Sequence, residues 1–272
     1  MTLTSRQLQV LKERLDQEVE RVNVPSFAEH DPVQFARCMS GLRDIEVTAL
    51  LTATLAWGKR ESICHDCERL LGLMHGEPSR FVTEGAYEQL PDGLNVHRTF
   101  FARNLKHWCR TLRRIYASHP SLDAWAASHH VGQSEEPAWQ LARLLLGEMT
   151  EACGTADSRC LPTQLHATAL KRLNMALRWL VRDDGIVDLG VWHCIGPSQL
   201  FIPLDVHVAS TARTLGLTTR RSNDRRTVLE ITAQLRRMRP DDPVIYDYAL
   251  FGLGMQQGNR IKIETLTNGY KS

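Results

Sequence analysis

Apolar residues recur at every third or fourth position along most of this chain, and strand-like alternation is scarce. That spacing confines it to helical architectures, because only a helix gathers such residues onto one face. Leu8, Leu11, Leu15, Val19 and Val22 form a first stripe. Asp31-Pro32 reads as an N-cap followed by proline in the first helical turn. The most apolar segment, DIEVTALLTATLAWG, starts at Asp44 and should end at Gly58. A helix from Glu61 to His75 follows, stopped by Gly76 and Pro78. From Asn104 to Ser118, Leu105, Trp108, Cys109, Leu112 and Ile115 make a buried face, and Arg103, Lys106, Arg110 and Arg114 a separate basic row. A long helix is predicted from Thr163 to Val181, then a long loop, then a helix capped by Asp205 and closed by Gly216. Asp224–Met238 and Pro243–Leu253 complete the series, and the polar tail after Gln257 should be loosely held. The expected fold is all-α: one helical unit over 1–272, divided into two discontinuous lobes around a cleft.

Composition narrows the function less than the pattern narrows the fold. The net charge is only +2, so bulk charge does not mark a nucleic-acid binder and any such case must rest on local clustering. Charge is segregated: Gly93 to Leu122 carries six Lys or Arg and no acid, whereas Asp123 to Asp157 is mainly acidic. The N-terminal stretch MTLTSRQLQVLKERLDQEVERVN lacks the apolar core of a signal peptide, and no apolar run is long enough for a bilayer. Seven widely spaced cysteines then read as free thiols in a reducing cytoplasm. Cys64-His65-Asp66-Cys67 has no second ligand pair at finger spacing, so no metal site is expected there.

The segment that carries chemistry is IPLDVHVASTARTLGL, with Leu204, Asp205, His207, Val208 and Arg213 in the order of an Asp-x-His-Val helix start. It resembles the stretch of the endonuclease III-like, helix-hairpin-helix DNA glycosylases in which a short turn presents an aspartate at a helix N-terminus. Upstream, LKRLNMALRWLVR resembles the helix bearing their catalytic lysine, at Lys171. The separation of 34 residues from Lys171 to Asp205 is similar to that in the archaeal 8-oxoguanine DNA glycosylases. As a whole the chain also resembles a bacterial family described only as a domain of unknown function. Two features depart from the glycosylase pattern. No glycine-rich hairpin precedes Lys171, and no cysteine follows Asp205, so the iron–sulfur cluster of many relatives has no ligands there.

The resemblance implies a DNA glycosylase and abasic-site lyase acting on damaged duplex DNA, with oxidised guanine as the leading lesion. Lys171 would attack the anomeric carbon of an extruded nucleotide and form a Schiff base, which requires a neutral amine. Arg172 is the neighbouring cation considered for lowering its pKa. Asp205 would stabilise the developing sugar cation and handle the amine proton. Trp57, Lys59 and Arg60 occupy the place of the loop that fills the space left by the flipped base, with Trp57 stacking and the cations near phosphates. His207, Arg110 and Arg114 are further candidates for DNA contacts. The scheme needs no metal or organic cofactor, and a monomer is expected. Plainer roles stay open: Asp205 as an ordinary N-cap, Lys171 as a solvated charge, and the basic row as an exposed helix face. Two other functions are carried alongside: a non-catalytic nucleic-acid-binding protein on the same fold, and a metal-dependent helical phosphohydrolase using His30-Asp31 and His65-Asp66.

Overall fold

The computed structural model describes residues 3–257; the polar tail beyond Gln257 lies outside the described residues. Among the described residues there are thirteen α-helices: α1 Ser5–Val22, α2 Pro25–Glu29, α3 Val33–Arg37, α4 Leu42–Leu55, α5 Arg60–Leu73, α6 Pro78–Glu84, α7 Ala102–Ser118, α8 Leu122–Ser128, α9 Pro137–Cys153, α10 Lys171–Val181, α11 Val206–Thr214, α12 Arg225–Met238 and α13 Tyr246–Gln257. The only pairing strands among them, β1 Asn95–His97 and β2 Phe100–Phe101, form a short antiparallel hairpin. The all-α expectation holds. No described helix is long and apolar enough to cross a membrane.

The middle of the chain packs α4 against α3, α6 and α10, and α7 against α9, while α1 returns to pack on α13 beside α11. Helix α4 is enclosed from Ile45 to Leu55, as its apolar composition requires. Its one enclosed acid, Glu46, accepts from Leu122 N (2.8 Å), Asp123 N (2.9 Å), Trp192 Nε1 (3.0 Å) and Tyr116 Oη (3.1 Å). The first two donors are amides at the start of α8, which has few other acceptors within reach.

The helix expected from Thr163 begins only at Lys171. Leu161, Leu165 and Ala169 recur every four residues and imitate a helical stripe, yet residues 161–170 are irregular. Leu170 takes a left-handed conformation (φ 48°), and the Thr168 hydroxyl accepts its amide at 3.2 Å. Such a turn competes directly with helix continuation. Lys171 is therefore the first residue of α10 and not a mid-helix lysine.

The long loop after α10 is held by buried charge. Arg182 bonds Asp242 through Nε (2.9 Å) and Nη2 (2.8 Å), and its Nη1 reaches Asp184 (3.2 Å) and Asp188. Asp184 in turn accepts three backbone amides, those of Ile186, Val187 and Asp188. The loop closes back on α10, with Leu189 N donating to Trp179 O and Trp192 N to Leu180 O. Gly190 makes that return possible: its φ is +62°, and a Cβ there would lie 2.4 Å from that of Asp183. Replacing Arg182 by methionine strips the buried Asp188 of its hydrogen-bonded cation, leaving only Arg178 at 3.4 Å, and should cost about 3–5 kcal/mol in urea unfolding. Arg80→Met, which removes only exposed pairing with Glu77 and Glu84, should change stability far less.

Candidate active site

After burial itself, the charge of Asp205, the residue before α11, bears most on the amine of Lys171, the first residue of α10. Asp205 is the N-cap of α11: its Oδ1 accepts from His207 N and Val208 N, both at 2.9 Å. Lys171 is half-buried, and its Nζ donates to a single acceptor, Ala56 O at 3.3 Å, at the C-terminal end of α4. An ammonium has three protons to place, so one distant carbonyl leaves it poorly satisfied. Burial lowers the Lys171 pKa below the usual lysine value, against the opposing pull of Asp205, Asp31 and Asp247. No direct salt bridge joins Lys171 to Asp205.

The cation that assists burial is Arg178, two turns along the same face of α10, and not Arg172. Arg172 has its own partners. Its Nη1 donates to Thr54 O (2.8 Å) and Arg159 O (3.0 Å), and its guanidinium lies 5.4 Å from the Trp57 ring centre. The Trp57 indole also meets His97 edge-on at 4.6 Å. Both ring nitrogens of His97 are engaged, Nε2 with Trp57 O (2.9 Å) and Nδ1 with Asp66 (2.6 Å). Trp57 is thus fixed beside Arg172, with Lys59 exposed next to it at the start of α5.

Arg60 turns away from Trp57. It lies over Phe27 (5.4 Å) and Phe251 (4.9 Å) and 3.8 Å from Asp31, at one side of an open groove of about 400 Å³. A second cavity, of about 450 Å³, has Lys171 and Arg172 in its wall together with Thr54, Trp108, Cys160 and Asn223. The Trp108 indole N–H is buried and has no acceptor. His207 is exposed at the start of α11.

The basic row on α7 is not brought to this site. Arg110 makes a two-pronged contact with Glu88 (2.7 and 2.6 Å), Arg114 pairs with Glu148 (2.8 Å), and Lys106 with Asp92 (2.6 Å). Acids from neighbouring segments therefore pair with three of the four cations in the row, while Arg103 lies over the Phe101 ring. The histidine–aspartate pairs are also spent locally. Asp31 accepts Val33 N at the start of α3, and Asp66 serves Arg69 and His97. Among the described residues no three His, Cys, Asp or Glu side chains converge as a metal-ligand set. The seven cysteines are free thiols.

Two site residues escaped the sequence reading, Arg178 and Asp247. Asp247, in the first turn of α13, accepts a hydrogen bond from Arg178 and lies close enough to Lys171 and Asp205 to feel both. Burial pushes its pKa up to about 6; Arg178 holds it down and Asp205 adds to the rise. The signal was a lone acid inside the otherwise apolar run YDYALFGLG.

A family model described as a protein of unknown function, DUF2400, matches residues 31–256, and the chain belongs to that family. No curated protein and no solved structure matches it.

The lowered pKa of Lys171 makes it more nucleophilic than an ordinary surface lysine at the same pH. In limited acylation read by mass spectrometry just above neutrality, Lys171 should be modified ahead of Lys12, whose ammonium is paired with Asp16. Modification of Lys171 only at the pH needed for Lys12 would contradict the electrostatic description.

Proposed function

We propose that this protein is a DNA glycosylase with abasic-site lyase activity, working through Lys171. One observation carries the reading: an amine with a lowered pKa, in the wall of a cavity, within electrostatic reach of a carboxylate fixed at a helix N-terminus. A lysine nucleophile for an anomeric carbon needs an available lone pair, and burial supplies it. The attack leaves positive charge on the sugar. A carboxylate held in place by two backbone amides can oppose that charge without reorganising. Trp57, braced by His97 and Arg172, would stack at the vacated base position, with exposed Lys59 meeting a phosphate. His207 beside Asp205 is a further phosphate donor. Similarity of the Lys171–Asp205 separation to that of the archaeal enzymes makes oxidised guanine the first lesion to test.

A second reading rests on a different observation. Lys171 and Arg172 donate to Ala56 O and Thr54 O and so close the end of α4. On that reading the protein binds nucleic acid without a covalent intermediate, and the lysine is structural.

Borohydride trapping on duplexes containing 8-oxoguanine or an abasic site separates the two. The glycosylase reading expects a covalent protein–DNA band for the wild type that is absent in Lys171→Gln, with unchanged circular dichroism. Its yield should rise with pH, because the amine loses its proton, and level off below the pH required by an unperturbed lysine. Asp205→Asn should slow trapping on the order of a hundredfold. A band of undiminished strength in Lys171→Gln would assign the chemistry to another amine.

A further inference from the structure

Two cations stand without acids around one cavity. Its wall is built from the irregular loop at 161–170, the first residues of α10, part of α4, Trp108 of α7 and Asn223 ahead of α12. Lys171 and Arg172 are the charged residues of that wall, which contains no Asp or Glu. Neither cation pairs with a carboxylate among the described residues; their partners are the carbonyls of Ala56, Thr54 and Arg159. The other two arginines of α10 mark the contrast, since Arg178 and Arg182 are met by Asp184, Asp188, Asp242 and Asp247.

The same wall holds donors that the protein leaves unused. Arg172 gives both protons of Nη1 to carbonyls, so the three N–H of its Nε and Nη2 donate to no described residue. Lys171 uses one N–H, on Ala56 O. Helix α10 starts without a capping side chain, and the amides of Lys171, Arg172 and Leu173 donate to no described acceptor. Trp108 is 1% exposed, and its indole N–H lacks an acceptor. Enclosed donors without acceptors are costly, and a ligand rich in acceptors removes that cost.

We propose that this cavity binds a phosphate group carried on a small organic body of mononucleotide size. The site stands on the cavity and its donors and does not require the Lys171 chemistry. A guanidinium edge and an ammonium match phosphate oxygens in charge and direction. The start of α10 adds the positive end of a helix. Donors from two side chains and a helix start converge from several directions, which suits a group with three terminal oxygens better than a two-oxygen carboxylate. The volume of about 450 Å³ falls within the roughly 300–1,000 Å³ of small-molecule sites and exceeds what a bare anion fills. Leu50, Leu161 and Pro162 supply apolar wall for the body that carries the phosphate. Occupation of the site also acts on Lys171: an anion beside the ammonium favours the charged form and makes the amine less nucleophilic.

The test is calorimetric titration of the wild type, Arg172→Gln and Arg80→Gln with thymidine monophosphate, inorganic phosphate and thymidine. The wild type should bind the monophosphate, bind inorganic phosphate more weakly, and ignore thymidine. Arg172→Gln should weaken binding on the order of tenfold or more. Arg80→Gln, an exposed arginine paired with Glu77 and Glu84, should leave it unchanged. A second measurement needs no variant: thymidine monophosphate should slow acylation of Lys171 in the wild type and leave Lys12 as it was. Displacement of the monophosphate by an oligonucleotide without terminal phosphates assigns the site to a strand phosphate, and displacement by phosphomonoesters alone to a free one. Absence of binding by the wild type, undiminished binding by folded Arg172→Gln, or binding that leaves Lys171 unprotected overturns the assignment.

Discussion

Two guanidiniums enclosed on one face of α10 set the terms for the rest of the structure. Arg178 and Arg182 are separated by about one helical turn, so they point the same way, and neither reaches bulk water to any extent. Their charge is met by Asp184, Asp188, Asp242 and Asp247, drawn from the following loop, the turn before α13 and α13 itself. Arg178 Nε and Asp188 Oδ1 have no hydrogen-bond partner of good geometry, yet they lie 3.4 Å apart and neutralise each other. The Arg178 guanidinium also lies 4.4 Å from the Tyr248 ring centre. A network of this kind is a poor way to gain stability compared with an apolar core. Its effect is on specificity: α10 cannot rotate about its axis or slide along α13 without stranding a buried charge. Lys171 lies on the same face two turns earlier, so the network that fixes Arg178 also fixes the direction of the lysine.

A second buried charge completes the positioning of the loop. Glu46 receives the Trp192 indole and the first amides of α8, while Arg182 receives Asp184 and Asp188. The connection between α10 and α11 is therefore irregular but anchored near both its beginning and its middle. It runs on through the buried Leu200, Phe201, Ile202 and Leu204 before delivering Asp205. A long loop without such anchors would not present a carboxylate at a fixed place relative to a helix it has already left. The charge on Glu46 is costly, as burial raises its pKa, and the four donors around it offset that cost.

Helical spacing made most of the fold legible from sequence. The ends of α4, α5, α7, α11 and α12 fall within a few residues of where apolar period and capping residues place them, with Asp205 and Asp224 both acting as caps. The failure at residues 161–170 has a physical cause. Period alone cannot register that Leu170 adopts a left-handed turn, because leucine is an unusual residue for it. The candidate site was half legible. Lys171 and Asp205 could be paired because resemblance joined them, and their electrostatic coupling is a property of the folded chain. Arg178 and Asp247 were hidden for the opposite reason. Each sits in an apolar stripe where a charge has meaning only with its partner, and those partners are 69 residues apart. The basic row on α7 misled in turn, since Glu88 and Glu148, which neutralise Arg110 and Arg114, lie in separate elements.

The contact between Lys171 and Ala56 is compatible with both the structural and the proposed chemical role of the lysine. A carbonyl at the end of α4 calls for a donor, and either an ammonium or a neutral amine can supply one. Arg172, whose guanidinium stays charged at any ordinary pH, already donates to Thr54 O and carries the favourable interaction with the negative end of the helix. Lys171 is thus relieved of the need to be charged. A neutral amine that donates one N–H to Ala56 O keeps its lone pair on another tetrahedral corner, away from α4. Closing the helix and, on the proposed chemistry, presenting a nucleophile then demand the same orientation of the same side chain. On the proposed chemistry the adjacent Lys171-Arg172 pair divides the work: the permanent cation secures the helix end, and the titratable one is free to react.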